Sequence, residues 1–207
     1  MLETLLSPLL LVISLMMSTI VVSIETPLGA TGQGNNMTKD LSQNSNQFVS
    51  YQDTTLGIKF QYPVSWHKAV HYSANTSRID FFAPLASQSE IFPPSVVISV
   101  SNTTQDSKLA EITKAILAKA KQSMSEFNLL QFNVTELAGF PAQKLVYTFR
   151  SLDPSVDVHF QTMNIWMIKD KRIYTISYTE STSQYADHLP TIENIIGSFA
   201  TLSKIAN

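Results

Sequence analysis

The sequence predicts an α+β domain, a largely antiparallel β-sheet flanked by helices on both faces as an α/β/α sandwich. Three observations carry that expectation. Short runs rich in β-branched and aromatic residues follow one another through turn-like joints, as strands in hairpins do. Two other stretches place apolar residues at helical spacing. The order is several strands, a helix, more hairpin-linked strands and a last helix, which suits segregated helices on an antiparallel sheet. The chain has 207 residues and no cysteine. A disulfide framework, thiolate-bound zinc and thiol catalysis are thereby excluded, and the core alone must hold the fold together.

The chain opens on an apolar run from Thr4 to Ile24 that no charge interrupts, ended by Glu25. At about 1.5 Å per helical residue this is long enough to cross a hydrocarbon core of about 30 Å. Residues 1–27 are therefore expected to be a cleaved signal peptide or an N-terminal membrane anchor, with all that follows outside the cytoplasm. A basic n-region is missing, since Glu3 is the only charge ahead of the run. Residues 28–46 are rich in Gly, Asn, Ser and Gln without periodicity, the composition of a flexible polar linker. The folded domain is expected over residues 47–207.

Within it, Phe48–Tyr51 reads as a short strand, followed by a turn at Thr54–Gly57. Ile58, Phe60 and Tyr62 alternate with Lys59 and Gln61, a half-buried strand that Pro63 stops. Strands are expected at His67–Tyr72 and Arg78–Ala83 around a turn at Asn75, and at Ser95–Ser101. A helix capped by Asp106 or Ser107 then turns Leu109, Ile112, Ile116, Ala120, Met124 and Phe127 to one face. Further strands are expected at Leu129–Leu137, Ala142–Arg150, Asp157–Ile168 and Arg172–Thr179. A closing helix aligns Tyr185, Leu189, Ile192, Ile196 and Phe199, with Pro190 in its first turn.

Charged residues make up 14% of the chain and the formal net charge is −2. With no Lys/Arg cluster there is no electrostatic footprint for nucleic acid. Asn-x-Ser/Thr sequons stand at Asn36, Asn75, Asn102 and Asn133, candidate glycan sites in an exported protein.

Tyr51, the Leu56-Gly57-Ile58-Lys59-Phe60-Gln61-Tyr62-Pro63 run with Trp66, the Leu137-Ala138-Gly139-Phe140-Pro141-Ala142 turn, the Tyr174–Tyr178 strand and the closing Tyr185, Leu189-Pro190, Ile192 and Ser198-Phe199 occur in a characteristic order. Over residues 48–203 this pattern resembles the PsbP-like family, named for an extrinsic subunit of the oxygen-evolving complex. The resemblance implies an antiparallel sheet sandwiched by helices and a binding or assembly role without catalysis. The shared residues build the fold and carry no activity with them, so a photosystem role is not transferred.

No residue set reads as catalytic, cofactor-binding or metal-binding, and no cofactor is expected. His67 and His71 are four apart, but in a strand that spacing spans about 13 Å, too far to share an ion. His159 with Asp153 and Asp157 lacks any nucleophile motif. His188 reads as a surface residue. Trp66, Phe81, Phe82 and Trp166 are candidates to line an apolar cleft, though strand aromatics more often fill a core. Two roles are therefore expected. The first is an exported, non-catalytic module that binds a protein partner in or on the membrane. The alternative is an extracytoplasmic carrier of a small apolar ligand.

Overall fold

The computed structural model describes residues 47–85, 92–104, 106–151, 153 and 156–202. The expected signal or anchor (1–27), the linker (28–46) and Asn36 lie outside them. The described residues form two antiparallel sheets and two helices. The strands are β1 (Phe48–Asp53), β2 (Ile58–Pro63), β3 (His67–His71), β4 (Thr76–Phe82) and β5 (Ser95–Asn102). After helix α1 (Leu109–Ser123) come β6 (Ser125–Leu137), β7 (Phe140–Arg150), β8 (His159–Lys169) and β9 (Arg172–Ser181). Helix α2 (Leu189–Ser198) and a two-residue strand β10 (Ala200–Thr201) close the domain. The larger sheet has seven strands in the order β3-β4-β5-β9-β8-β7-β6, and the smaller has three in the order β1-β2-β10.

Alternate residues of the large sheet enter two different hydrophobic clusters, as strand geometry requires. On β7, Ala142 and Val146 join one cluster, while Leu145, Tyr147 and Phe149 join the other. The first cluster also takes Ile58 and Phe60 from the small sheet and Ile192, Ile195 and Phe199 from the α2 end. The second takes Ile112, Ile116, Ala120 and Met124 from α1.

Several expectations need correction. β1 and β2 leave the main sheet to form a separate one with β10, so one side of the first cluster is roofed by strands as well as a helix. The residue preceding α1 is Lys108, which makes no capping hydrogen bond. The Ser107 hydroxyl is instead engaged by those of Thr103 and Thr104, at 2.6 and 2.8 Å. Helix α1 stops at Ser123 because Met124 turns extended, and β6 begins at once rather than at Leu129. Phe127 therefore belongs to the sheet, its ring 5.2 Å from that of Tyr147. Tyr185 precedes α2 and packs its ring, tilted, against Tyr178 at 4.8 Å instead of lying on the helix. The buried face of α2 is Ile192 and Ile195, with Ile196 half-buried.

The hairpins between β6 and β7 and between β8 and β9 turn on two residues each. Ala138 (φ 51°) and Gly139 (φ 79°) make the first, Asp170 (φ 49°) and Lys171 (φ 60°) the second. Positive φ at both central positions is what a type I′ turn demands, and alanine is poorly suited to it. Ala138→Asn is expected to stabilise the domain by about 0.5–1 kcal/mol, raising the thermal midpoint by a few degrees. A thermal melt of the two proteins side by side checks it.

Candidate functional site: the β6 edge

The two edges of the large sheet are unlike. β3 is five residues long and carries His67, Lys68 and His71, the short charged edge by which sheets discourage pairing with strangers. β6 is thirteen residues long and carries no Lys or Arg. Among the described strands it pairs with β7 alone. Leu129, Leu130, Phe132 and Val134 are 37%, 50%, 48% and 71% exposed, four of the seven exposed large hydrophobic residues described. Lone exposed apolar side chains are ordinary, whereas a run of them on an edge that no described strand covers is a candidate interaction surface.

The register with β7 shows how the run is presented. Leu129, Phe132 and Val134 stand opposite Tyr147, Leu145 and Gln143, on the side of the second cluster. Asn128, Gln131 and Asn133 stand opposite Thr148, Val146 and Lys144, on the other side. The pairing shifts between Leu129 and Gln131, leaving Leu130 as an inserted bulge residue, and again between Ser125 and Asn128. Glu126, in the latter shift, has φ 52°.

Charges pin the Ser125 end. The Glu126 carboxylate accepts from Arg150 Nη1 at 3.1 Å and lies 3.0 Å from His159 Nε2. Arg150 Nη2 reaches Asp157 Oδ1 at 3.0 Å. The hydrogen bonds from His159 and then Arg150 hold the Glu126 carboxyl below its usual range. At the other end, the Ala138-Gly139 turn fixes the hairpin. The apolar run is therefore held between two anchors.

The residues singled out by sequence are dispersed. Trp66 and Phe81 are buried in the first cluster and Trp166 in the second, while Phe82, next to Phe81, is half-buried. Four aromatics divided in this way do not face one space. Asn75, Asn102 and Asn133 are all exposed. The first two are neighbours, since Asn102 N–H donates to the Asn75 carbonyl at 3.2 Å. His67 and His71 lie on β3 as expected of strand residues, with His71 Nε2 3.2 Å from the buried Asp80 carboxylate, which Arg78 Nε also meets at 3.1 Å. Burial nevertheless raises the Asp80 carboxyl, with Arg78 and the His71 contact opposing that only in part. Among the described residues no cluster of three His, Cys, Asp or Glu is arranged to hold a metal ion.

One polar cluster escaped sequence reasoning. Glu180, at the end of β9, is 2% exposed. Its Oε2 lies 2.5 Å from the Tyr178 hydroxyl and 3.1 Å from His188 Nδ1. His188 is thus half-buried rather than a free surface residue, with the Trp66 ring edge-on at 6.3 Å. Burial, with Glu180 adding to it, drives the Tyr178 hydroxyl far above its ordinary value, and burial pushes Tyr185 up to about 12. Glu180 and His188 are eight residues apart across a turn, a spacing that matches no motif. The cluster ties the end of β9 to the start of α2.

A family model described as PsbP-like protein matches residues 9–201. The chain belongs to the PsbP-like family. Among solved structures, cyanobacterial PsbP (CyanoP) from Synechocystis is similar, with 16% identity and a TM-score of 0.56 over 85% of this chain and 99% of that one. LpqN of Mycobacterium tuberculosis, described as involved in cell envelope biogenesis, has 14% identity and a TM-score of 0.54 over 83% and 100%. The Ran-binding protein Mog1p of Saccharomyces cerevisiae has 10% identity and a TM-score of 0.52 over 76% and 96%. At such identities the likeness shows the shared PsbP-like fold and nothing of function. No curated protein matches the chain in sequence. Among the described residues no helix is long and apolar enough to cross a membrane.

Proposed function

We propose that this PsbP-like chain is a non-catalytic binding and assembly module of the cell envelope, exported by residues 1–27 and held off the membrane, or released, by the 28–46 linker. Its helices α1 and α2 brace opposite faces of the large sheet, and β6 is the strand it offers to protein partners. The observation that carries this reading is the apolar edge of β6, free of Lys and Arg and set beside a packed sheet. Strand addition to such an edge supplies main-chain hydrogen bonds, with side-chain contacts setting selectivity. The involvement of LpqN in cell envelope biogenesis supports the location, as does the Thr4–Ile24 run. Division of Trp66, Phe81 and Trp166 between two clusters favours docking over the carriage of a small apolar ligand. Glycans on Asn75, Asn102 and Asn133 would leave this edge usable, since Asn133 projects from the side opposite Phe132.

A photo-activatable residue at Val134, expressed in the native host, is expected to give protein adducts in the envelope fraction. The same residue at His67, on the opposite edge, should give none. Equal labelling from the two positions, or no adduct from Val134, would remove the reading.

A further inference from the structure

We propose that the occupant of the β6 edge is the β6 edge of a second copy, paired antiparallel about a two-fold axis between Leu130 and Gln131. This rests on the docking reading above and names its partner.

The argument is one of register. When a strand pairs with its own copy around a dyad, residue i meets residue c − i, and both must point to the same side of the joint sheet. In β6, Phe127, Leu129, Phe132 and Val134 point to the α1 side, as the packing of Phe127 and the β7 partners of the other three show. Asn128, Gln131 and Asn133 point to the other side. In a bulge the inserted residue and its successor point roughly the same way, so Leu130 sides with Gln131. The pattern from Phe127 to Val134 is then symmetric about the Leu130–Gln131 bond, and this is the axis that matches the whole of that run, whereas an axis inside the regular Gln131–Leu137 stretch matches that stretch alone. The bulge that interrupts pairing with β7 thus gives β6 an orientation in which its two copies match.

The same register matches chemistry. Phe127 meets Val134 of the copy, Leu129 meets Phe132, and Asn128 meets Asn133. Aromatic–aliphatic cross-strand pairs stabilise a sheet, and like charges facing one another destabilise it. No charge falls between Phe127 and Val134. The backbone is correctly turned as well. Leu137 and Phe140 close the two-residue turn and so form a hydrogen-bonded pair, with their N–H and C=O groups directed at one another. Alternation then aims the groups of Val134 and Phe132 outward, and those of Leu129 and Phe127 beyond the bulge. These are the residues that meet across the dyad. Isologous pairing of this kind closes on itself, and it converts two seven-stranded sheets into one.

The full chain, purified in detergent, is expected to show a protein mass twice its 23.0 kDa by light scattering. Phe132→Lys, a substitution at an exposed site, should halve that mass without changing the circular dichroism. Because the chain has no cysteine, L129C/F132C is a clean second test. Opposed residues of a hydrogen-bonded pair stand about 5.5 Å apart, within disulfide reach. Mild oxidation should crosslink the double variant into a covalent dimer, while L129C and F132C alone remain single chains. A monomeric wild-type chain, a dimer untouched by Phe132→Lys, or equal crosslinking of the single variants would overturn the inference. Val134 adducts with a different protein but not with itself would overturn self-pairing and leave the docking role standing.

Discussion

Phe60→Ala is expected to cost about 3–5 kcal/mol, among the largest effects of any single truncation in this domain. Phe60 is 2% exposed and stands on β2, in the small sheet. Its ring centroid lies 5.3 Å from Tyr51 in the same sheet, 5.5 Å from Phe81 on β4 of the large sheet, and 6.3 Å from Phe199 at the end of α2. One side chain therefore couples three bodies, and its removal leaves a cavity that none of them can close without moving the others. Denaturant melts of wild type and variant measure the loss. Val64→Ala, at a 44% exposed residue one position beyond the end of β2, is the control and is expected to stay within about 0.5 kcal/mol. If the two variants melt alike, the small sheet is not held by this cluster.

Asp53→Ala is expected to cost about 2–4 kcal/mol at neutral pH, because it strips a buried acceptor from several donors at once. Asp53 is 7% exposed and ends β1. Its Oδ1 accepts from the Leu56 N–H at 2.9 Å, and its Oδ2 accepts from the Tyr72 hydroxyl at 2.6 Å and the Tyr51 hydroxyl at 3.2 Å. It thus shapes the turn into β2 and ties that turn to the segment beyond β3. Burial works to raise the Asp53 carboxyl, but the hydrogen bonds from Tyr72, Leu56 and Tyr51 outweigh it and hold the group below its ordinary value. A carboxyl depressed in the folded state stabilises fully above its unfolded value and loses that contribution as the pH falls through the folded one. The difference between wild type and variant should therefore be full at pH 7. It should shrink once the pH drops below the ordinary aspartate value of about 3.9. A gap that widened with acid would show that the carboxylate is not the stabilising form.

Much of the architecture was legible because it rests on periodicity. The apolar stripe Ile112, Ile116, Ala120 and Met124 announced α1, and Lys114, Ala118, Lys121 and Gln122 on its other face are indeed exposed. Alternation in Ile58–Tyr62 and the β-branched run at Ser95–Ser101 announced β2 and β5 within a residue or two. The strand motifs and closing helix also pointed to the family that the match over residues 9–201 establishes. What could not be read is where strands go once formed. Nothing local tells β2 to leave the main sheet, since its partners lie at both ends of the domain. β10 spans two residues, too short for any period. The β6 edge was hidden for a different reason: Leu129, Leu130, Phe132 and Val134 have the apolar character of a core strand, and only the strand order reveals that no described strand lies beyond them.

The position of β10 bears on how the domain comes into being. Lys59 and Ile58 pair with Ala200 and Thr201, the Gly57 carbonyl accepts from the Leu202 N–H at 2.7 Å, and the Gln61 N–H donates to Ser198 Oγ at 2.9 Å. A ribosome delivers β2 early and its last partners at the very end of the domain. Until they emerge, one margin of the small sheet stays unzipped and the Phe60 side of the core lacks Phe199. Such long-range closure makes assembly slow, and it makes completion a single late event rather than a gradual one. The nascent domain is a clasp whose hook is made first and whose eye is made last.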